Sequence, residues 1–477
     1  MKHFSLLAFA CILAAIANPA AAQRASPDEA DSYVKAEMAR EHIPGLALGV
    51  YREGRIVKAQ GYGLSNLELD TPVKPESIFQ SGSVGKQFTA AAVLMLVEEG
   101  KVGLEDSIRK YFPEAPSTWQ PIQVQNLLSH TSGLAEYESD EKTKPGGPVN
   151  LRADVTEDEL VKIIQTFPLD FQPGEKWTYS NTNYVLLGVL IHKVTGQFYG
   201  DFLQDRIFKP LGMTSTRIIS EADIIPNRSA GYRLVKGELK NQEWVSPTFN
   251  TTADGALYFN VLDLAKWDAA LYTERLLKRS SFDRMWTVMR LNDGKPNKAG
   301  YGFAWGIHEV NGHKVIEHGG AWQGFTTHIA RYVDDKLSVV VLTNLDAGHS
   351  SPNKIAHHVA GLYIPALAPP ELKPLEDKEP QVTALFRSVL EKVAAGKPDP
   401  EDFAPSFRAV VFPGPIREWG ERLKELGQLK SLELLERKEE NGQRKYAYRA
   451  TFADGQMDLR LALDHENKIA DLSVMPE

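Results

Sequence analysis

Ser83 stands three residues before Lys86 in "FQSGSVGKQFTAAAVLMLVEEG" (Phe79 to Gly100), just ahead of an apolar run that reads as a helix. A serine there has an ordinary use, capping a helix N-terminus by accepting a hydrogen bond from a backbone N–H. It also has a chemical use. A serine hydroxyl becomes a nucleophile when an adjacent base takes its proton. Lys86, one turn further on and on the same face, could share that role or hold a second base in place. A hydroxyl at the positive end of a helix would gain further support for a developing alkoxide. The pattern alone decides little, because Ser-x-x-Lys recurs at Ser32/Lys35, Ser107/Lys110, Ser139/Lys142 and Ser351/Lys354. What distinguishes the Ser83 copy is its place before "FTAAAVLMLV", apolar on nearly every face and therefore a buried helix.

Two further stretches carry candidate chemistry. In "FQPGEKWTYSNTNYVLLG" (Phe171 to Gly188) a Pro-Gly turn leads through Tyr179-Ser180-Asn181 into a helix. A phenol beside a lysine can relay a proton, and an asparagine can contact both a substrate carbonyl and the lysine. The ordinary alternatives are a structural aromatic and an N-cap. A second Tyr-x-Asn, Tyr258-Phe259-Asn260, reads better as Asn260 capping the helix of "VLDLAKW" with Asp263 in its first turn. In "EHGGAW" (Glu317 to Trp322) two glycines interrupt a strand, which signals either a turn or bulge or the close approach of a ligand.

Elements that could position these residues can be read from the pattern. "IPGLALGVYREGRIVKAQGYG" (Ile43 to Gly63) is a hairpin turning at Glu53-Gly54. Residues 77 to 290 alternate helices with polar loops, two of the helices closing on a glycine. Strands return from Tyr301, turning at Asn311-Gly312 and Asp334-Asp335, and run to Asn344. A lone hairpin is marginal, so the two strand groups are expected to share one antiparallel sheet. The fold class is thus α/β (α+β): an antiparallel sheet flanked by helices plus an all-helical lobe, residues 28–365. A proline-rich linker (366–381) then leads to a small α+β domain (382–477) with four strand-like runs.

Composition narrows the function. At 477 residues the chain exceeds the size of a single core, so more than one domain is expected. A formal net charge of −8 argues against nucleic acid as a partner. Residues 1–22 read as a secretory signal peptide cleaved after Ala22, which places the protein in the periplasm or outside the cell. The one cysteine, Cys11, lies within that segment, so the mature chain has no disulfide or thiol chemistry. No later stretch reaches the length of a membrane span. The twelve histidines form no metal-ligand spacing, and His357-His358 read as part of an ordinary helix, so neither metal nor cofactor is expected.

Taken in order, "SVGK", "YSN" and "HGG", supported by "LLSHTSGL" (Leu127 to Leu134), "FQPGEKWTYSNTNY" and "DGALYFNVLDLAKW", resemble the serine β-lactamase and penicillin-binding superfamily. The resemblance is to its class C branch, from about Ile43 to Leu345. It implies that Ser83 is acylated and that Lys86 and Tyr179 move the proton. It further implies that Asn181 binds the substrate amide, that Ser83 and Ala321 N–H groups form an oxyanion hole, and that His318 and Gly320 line the wall. His130 of "SHTSGL" is read as loop structure. Most class C β-lactamases carry Lys-Thr-Gly where this chain has His318-Gly319-Gly320. An imidazole there implies a D-peptidase, D-aminopeptidase or esterase acting on a small peptide or ester. The alternatives are a true β-lactamase and a non-catalytic penicillin-recognising envelope protein. Were His318 to titrate near its ordinary 6.5, carboxylate binding would weaken as pH rises.

Overall fold

Glu53 and Gly54 both take positive φ (53° and 71°), the pair of left-handed residues that closes a two-residue hairpin with the right twist. They join β1 (Gly45–Arg52) to β2 (Arg55–Asn66), which is followed by the short β3 (Thr71–Pro72). Asn311 and Gly312 (φ 52° and 81°) do the same between β4 (Gly306–Val310) and β5 (His313–Trp322). The meander continues through β6 (Phe325–Tyr332) and β7 (Leu337–Thr343). The structure, a computed structural model, describes residues 27–368, 372–440, 442–453 and 455–474. The signal-peptide reading and Cys11 fall outside those residues.

The two strand groups form one sheet in the order β3-β2-β1-β7-β6-β5-β4. β1 closes it by pairing antiparallel with β7, from Leu46 opposite Thr343 to Arg52 opposite Leu337. Alternation along β1 then sorts its side chains between two cores. Ala47 and Tyr51 join the cluster under the helical lobe, while Leu46, Leu48 and Val50 join one on the opposite face. That opposite face is covered by α1 (Pro27–Glu41) and by the helix Pro352–Tyr363. α1 is an element the sequence reading did not anticipate. Its buried residues Ala30, Val34 and Met38, four apart, are too few to stand out among its charges.

In the helical lobe, α2 (Lys86–Glu98) is buried from Lys86 through Leu96, as its all-round apolar pattern requires. α3 (Asn181–Thr195) ends on Gly196 at φ 73°. Asn260 caps α4 (Val261–Ala270), its Oδ1 accepting from the Asp263 N–H at 2.9 Å. Three of the short strands that were not anticipated form one small sheet: Phe79–Gln80 and Arg217–Ile218 each pair with Leu257–Phe259. Strands of two or three residues carry no readable periodicity, yet these fix the chain just before Ser83. Among the described residues no helix is long and apolar enough to cross a membrane.

After α5 (Pro352–Tyr363) the chain builds α6 (Pro380–Ala394), α7 (Gly414–Glu425) and a four-stranded meander. Its strands are β8 (Leu429–Glu440), β9 (Gln443–Phe452), β10 (Gln456–Leu463) and β11 (Ile469–Val474), hydrogen-bonded in that order. Their apolar faces form a cluster drawn wholly from residues Val382 to Val474. The other large clusters contain nothing beyond Leu367. A chain ending after Pro374 is therefore expected to stay soluble, to unfold cooperatively and to react at Ser83 with a fluorophosphonate. An insoluble product, or loss of labelling, would show that residues 28–365 depend on the small domain.

Candidate active site

The sequence reading starts a helix at Ser83, and here the structure differs in detail. Ser83 lies in a 3-10 turn, Gly82–Gly85, and α2 begins at Lys86. With three residues per turn, positions i and i+3 eclipse. Ser83 and Lys86 are thus brought closer into line than on an α-helix, with Lys86 Nζ 2.8 Å from Ser83 Oγ. The other pairs differ where their contacts are described: Lys142 reaches Ser139 Oγ only at 3.4 Å with neither side chain buried, and Lys110 faces Asp106 at 2.8 Å with most of its side chain exposed.

Lys86 is fully buried. Its Nζ also donates to Asn181 Oδ1 at 2.7 Å and to the carbonyl of Asp254 at 2.5 Å. Asn181 is thus not the cap of α3. Ser180 occupies that position without a side-chain cap bond, and Asn181, the first helical residue, turns its side chain to Lys86. The helix N-terminus is served instead by Glu136, whose Oε2 accepts from the Asn181 N–H at 2.6 Å. A carboxylate suits the positive end of a helix.

Tyr179 enters from the loop before α3, its ring centroid 5.0 Å from Lys86 Nζ. Its hydroxyl is buried and has no hydrogen-bond partner among the described residues. A buried orphan hydroxyl calls for an explanation, and a reacting group that completes its bonding is one. His130 packs against the Tyr179 ring at 4.2 Å, and its Nδ1 lies 3.3 Å from the Ser180 N–H, which donates to it. Burial, followed by the nearby Lys86, pushes the His130 pKa well below its usual range. It supports the Tyr179 loop as a neutral ring.

Backbone approach accounts for the second glycine of the third motif, while a Cβ on Gly319 would meet nothing closer than 3.5 Å. β5 pairs with β6 without a register shift from Val315 to Trp322, so there is neither turn nor bulge. A Cβ on Gly320 would lie 2.3 Å from the Ser81 carbonyl oxygen, and one on Gly82 (φ 47°) 2.3 Å from the Ala321 nitrogen. Both glycines let the nucleophile turn press against β5. Thr327 Oγ1 locks the contact by donating to the Ser81 carbonyl at 2.7 Å. The result puts Ser83 and Ala321 on one cavity.

His318 does not offer the charge that the sequence left open. Its Nδ1 is 2.5 Å from the Gly319 carbonyl, which can only accept, so Nε2 accepts from the Tyr301 hydroxyl at 2.8 Å. Burial, then the neighbouring Lys86, depresses its pKa to about 3. The imidazole is neutral at physiological pH and both nitrogens are engaged. Binding governed by a histidine titrating near 6.5 is therefore not expected.

What sequence reasoning missed is a set of carboxyl groups. Glu138 Oε2 accepts from Asn181 Nδ2 at 3.3 Å, and the Tyr137 hydroxyl lies 2.5 Å from Glu138 Oε1 and 3.2 Å from Asp254 Oδ2. Burial, then repulsion from Asp254 and Glu136, pushes Glu138 up to about 8, and burial likewise raises Glu136. Glu136-Tyr137-Glu138, one residue beyond "SHTSGL", was the available signal, but a loop carboxylate is by default solvated. The cavity beside Ser83 is walled by Phe249 and Trp322, and its described lining includes Glu138 and Asp254 but no lysine, arginine or histidine.

Comparison with known proteins identifies the family and the fold. A family model described as Beta-lactamase matches residues 30–363. Penicillin-binding protein 4* of Bacillus subtilis is 29% identical over 304 residues, 61% of this chain and 66% of that protein. A D-aminopeptidase of Gluconobacter oxydans is 28% identical over 367 residues, 76% of this chain and 66% of that protein. The chain thus spans just under two thirds of the length of these relatives. Among solved structures, an octameric penicillin-binding protein homologue from Pyrococcus abyssi has a TM-score of 0.63 at 23% identity. That match covers 94% of this chain and 98% of the other, and it shows the fold alone. A D-stereospecific amidohydrolase from Streptomyces has a TM-score of 0.58 at 26% identity, covering 71% and 98%.

Gly82→Ala tests the close packing of the turn on β5. The side chain meets both a left-handed φ and the Ala321 backbone, a strain of about 1–3 kcal/mol. A displacement of about 1 Å at the nucleophile costs roughly 10²-fold. The variant is expected to remain folded while its rate of fluorophosphonate labelling falls by about that factor; an unchanged rate would mean the approach is not needed for reactivity.

Proposed function

The chain belongs to the beta-lactamase family, and from that membership we propose that it is an exported serine hydrolase that forms an acyl-enzyme at Ser83. Its substrate is an amide, or a small ester, of an amino acid with a free amino group, of D configuration. The single observation that carries this choice is the cavity beside Ser83, which presents Glu138 and Asp254 and no cationic side chain among its described lining. An ammonium is attracted there and a carboxylate repelled. The D-aminopeptidase and the D-stereospecific amidohydrolase among the similar proteins support the same direction. Export rests on the sequence of residues 1–22.

In the proposed reaction Ser83 Oγ attacks the carbonyl carbon as its proton passes to Lys86 or Tyr179. The N–H groups of Ser83 and Ala321 hold the oxyanion, one such donor being worth about 3–4 kcal/mol of barrier. Tyr179 protonates the departing amine, and the same groups then activate water to release the acid and regenerate Ser83. Asn181 holds the substrate amide while its Oδ1 keeps Lys86 in place. The β-lactam reading asks for a cation facing a carboxylate, and neutral His318 supplies none.

Ser83→Ala is expected to abolish turnover and covalent labelling. Tyr179→Phe keeps the ring and should lower acylation by at least ~10²-fold, the usual scale of acid–base help. An unchanged acylation rate would leave Lys86 as the sole base. For substrate choice, a D-alanine anilide should exceed its N-acetyl form in kcat/KM by about 10- to 100-fold, the worth of a charge-assisted hydrogen bond. Equal turnover of the acetylated compound, or faster turnover of a chromogenic cephalosporin, would sink the assignment.

The pH profile follows from Glu138, faced by Glu136, Asp254, the Tyr137 hydroxyl and, more distantly, Lys86. Its folded pKa of about 8 lies above the ordinary 4.5, so the free enzyme keeps this proton at neutral pH and loses it as pH rises through 8. Binding of an ammonium should therefore strengthen as pH approaches 8, then weaken as the substrate amine loses its own proton near 7.7–8.0. Glu138→Gln should remove the rising limb for the anilide and leave a neutral ester's profile unaltered. A rising limb that survives in Glu138→Gln assigns it to another group.

A further inference from the structure

Alternation along β5 has a second consequence. His318 and Gly320 face the nucleophile turn, so Glu317 and Gly319 face the other side of the sheet, where α5 packs. There Glu317 Oε2 is 3.1 Å from His328 Nε2 on β6 and 2.8 Å from His357 Nε2 on α5. The three donor atoms all lie within 4.8 Å of one another. The side chains are 17%, 7% and 11% exposed, enclosed but not sealed from solvent.

We propose that Glu317, His328 and His357 form a binding site for a divalent transition-metal ion of the Zn²⁺ type, distinct from the Ser83 cavity, that clamps α5 to the strand carrying His318 and Ala321. Two imidazoles and one carboxylate are a borderline donor set suited to zinc, with a fourth position left for water. Mg²⁺ and Ca²⁺ prefer all-oxygen shells and fit poorly. Metal–ligand bonds of about 2.0–2.2 Å in a tetrahedral site place neighbouring donors roughly 3.4 Å apart. The observed 2.8 and 3.1 Å contacts need open only by a fraction of an ångström.

The surroundings fit a ligating role. The other nitrogen of His357, Nδ1, is 2.6 Å from the Tyr332 hydroxyl, the outer partner that aims Nε2 at the site. The adjacent His358 stacks on Tyr33 instead, at 3.7 Å between ring centroids, and so provides a control on the same helix. Nothing in the sequence exposes the set, because its members are separated by ten and twenty-eight intervening residues and come from three elements. The position matters because Glu317 is bonded directly to His318. An ion there would hold the strand behind the proposed oxyanion amide while taking no part in the chemistry.

The test uses the full chain, untagged and stripped with a chelator, titrated with ZnCl₂ by calorimetry and with CoCl₂ by visible absorption. The expected result is one ion per chain, a saturable rise in thermal midpoint, and a Co²⁺ ligand-field spectrum displaced by Zn²⁺. His357→Ala should weaken binding by at least about 10-fold and Tyr332→Phe, which removes no ligand, by about 10-fold. His358→Ala should bind as the wild type does. Should His357→Ala not fold, Tyr332→Phe and the Co²⁺ spectrum still decide. Sub-stoichiometric uptake, an octahedral all-oxygen spectrum, or equal affinity in wild type, Tyr332→Phe and His357→Ala would overturn the proposal. Failure here leaves Ser83 labelling untouched, so the two readings stand or fall separately.

Discussion

A fully buried lysine amine is the constraint around which this site is arranged. Taking Lys86 out of water is unfavourable by several kcal/mol unless every proton of its amine finds an acceptor. Three are provided, and each comes from a different segment: Ser83 Oγ from the 3-10 turn, Asn181 Oδ1 from the start of α3, and the Asp254 carbonyl from the loop before Leu257–Phe259. Lys86 therefore ties Ser83, Asn181 and the cavity wall into one unit. None of the three segments can shift without leaving a buried donor unmatched.

This arrangement explains what was legible in the chain and what was not. Ser83 and Lys86 could be read because one turn supplies both, and the hairpins at Glu53-Gly54 and Asn311-Gly312 because the turn chemistry is local. The exact start of α2 could not, since a single 3-10 turn differs from an α-turn by one hydrogen bond and leaves the apolar pattern unchanged. Glu136 and Glu138 were hidden for another reason. Their role depends on contacts 43 to 45 residues away at Asn181, within a network whose Lys86–Asp254 link spans 168. The glycines at 319 and 320 were read as a turn, a bulge or a close approach, and close approach is what the structure shows at Gly320 alone. At Gly320 the visitor is the backbone of Ser81 and Ser83.

The sheet is buried on both sides over its middle strands, every residue of β6 and β7 being enclosed. β5 is consequently read twice. One face presents His318 and Gly320 to the catalytic side, and the other presents Glu317 to His328 and His357. Adjacent residues of one strand thus belong to two polar networks separated only by the backbone. Packing on the α5 side sets where the strand runs, and where it runs sets the distance from Ala321 to Ser83.

The replacement of a lysine by His318 acquires its meaning from the carboxyl groups across the cavity. A fixed cation would attract a substrate carboxylate by about 4 kcal/mol at 4 Å and an effective dielectric of 20. His318, neutral and held by Gly319 and Tyr301, contributes no such attraction, and the carboxyl groups of Glu138 and Asp254 face the cavity instead. Two bare carboxylates this close would repel one another in the free enzyme. Glu138 avoids this by keeping its proton to about pH 8, a proton that the ammonium of the proposed substrate would displace. The proposed selectivity for an amine would in that way coexist with a stable empty site.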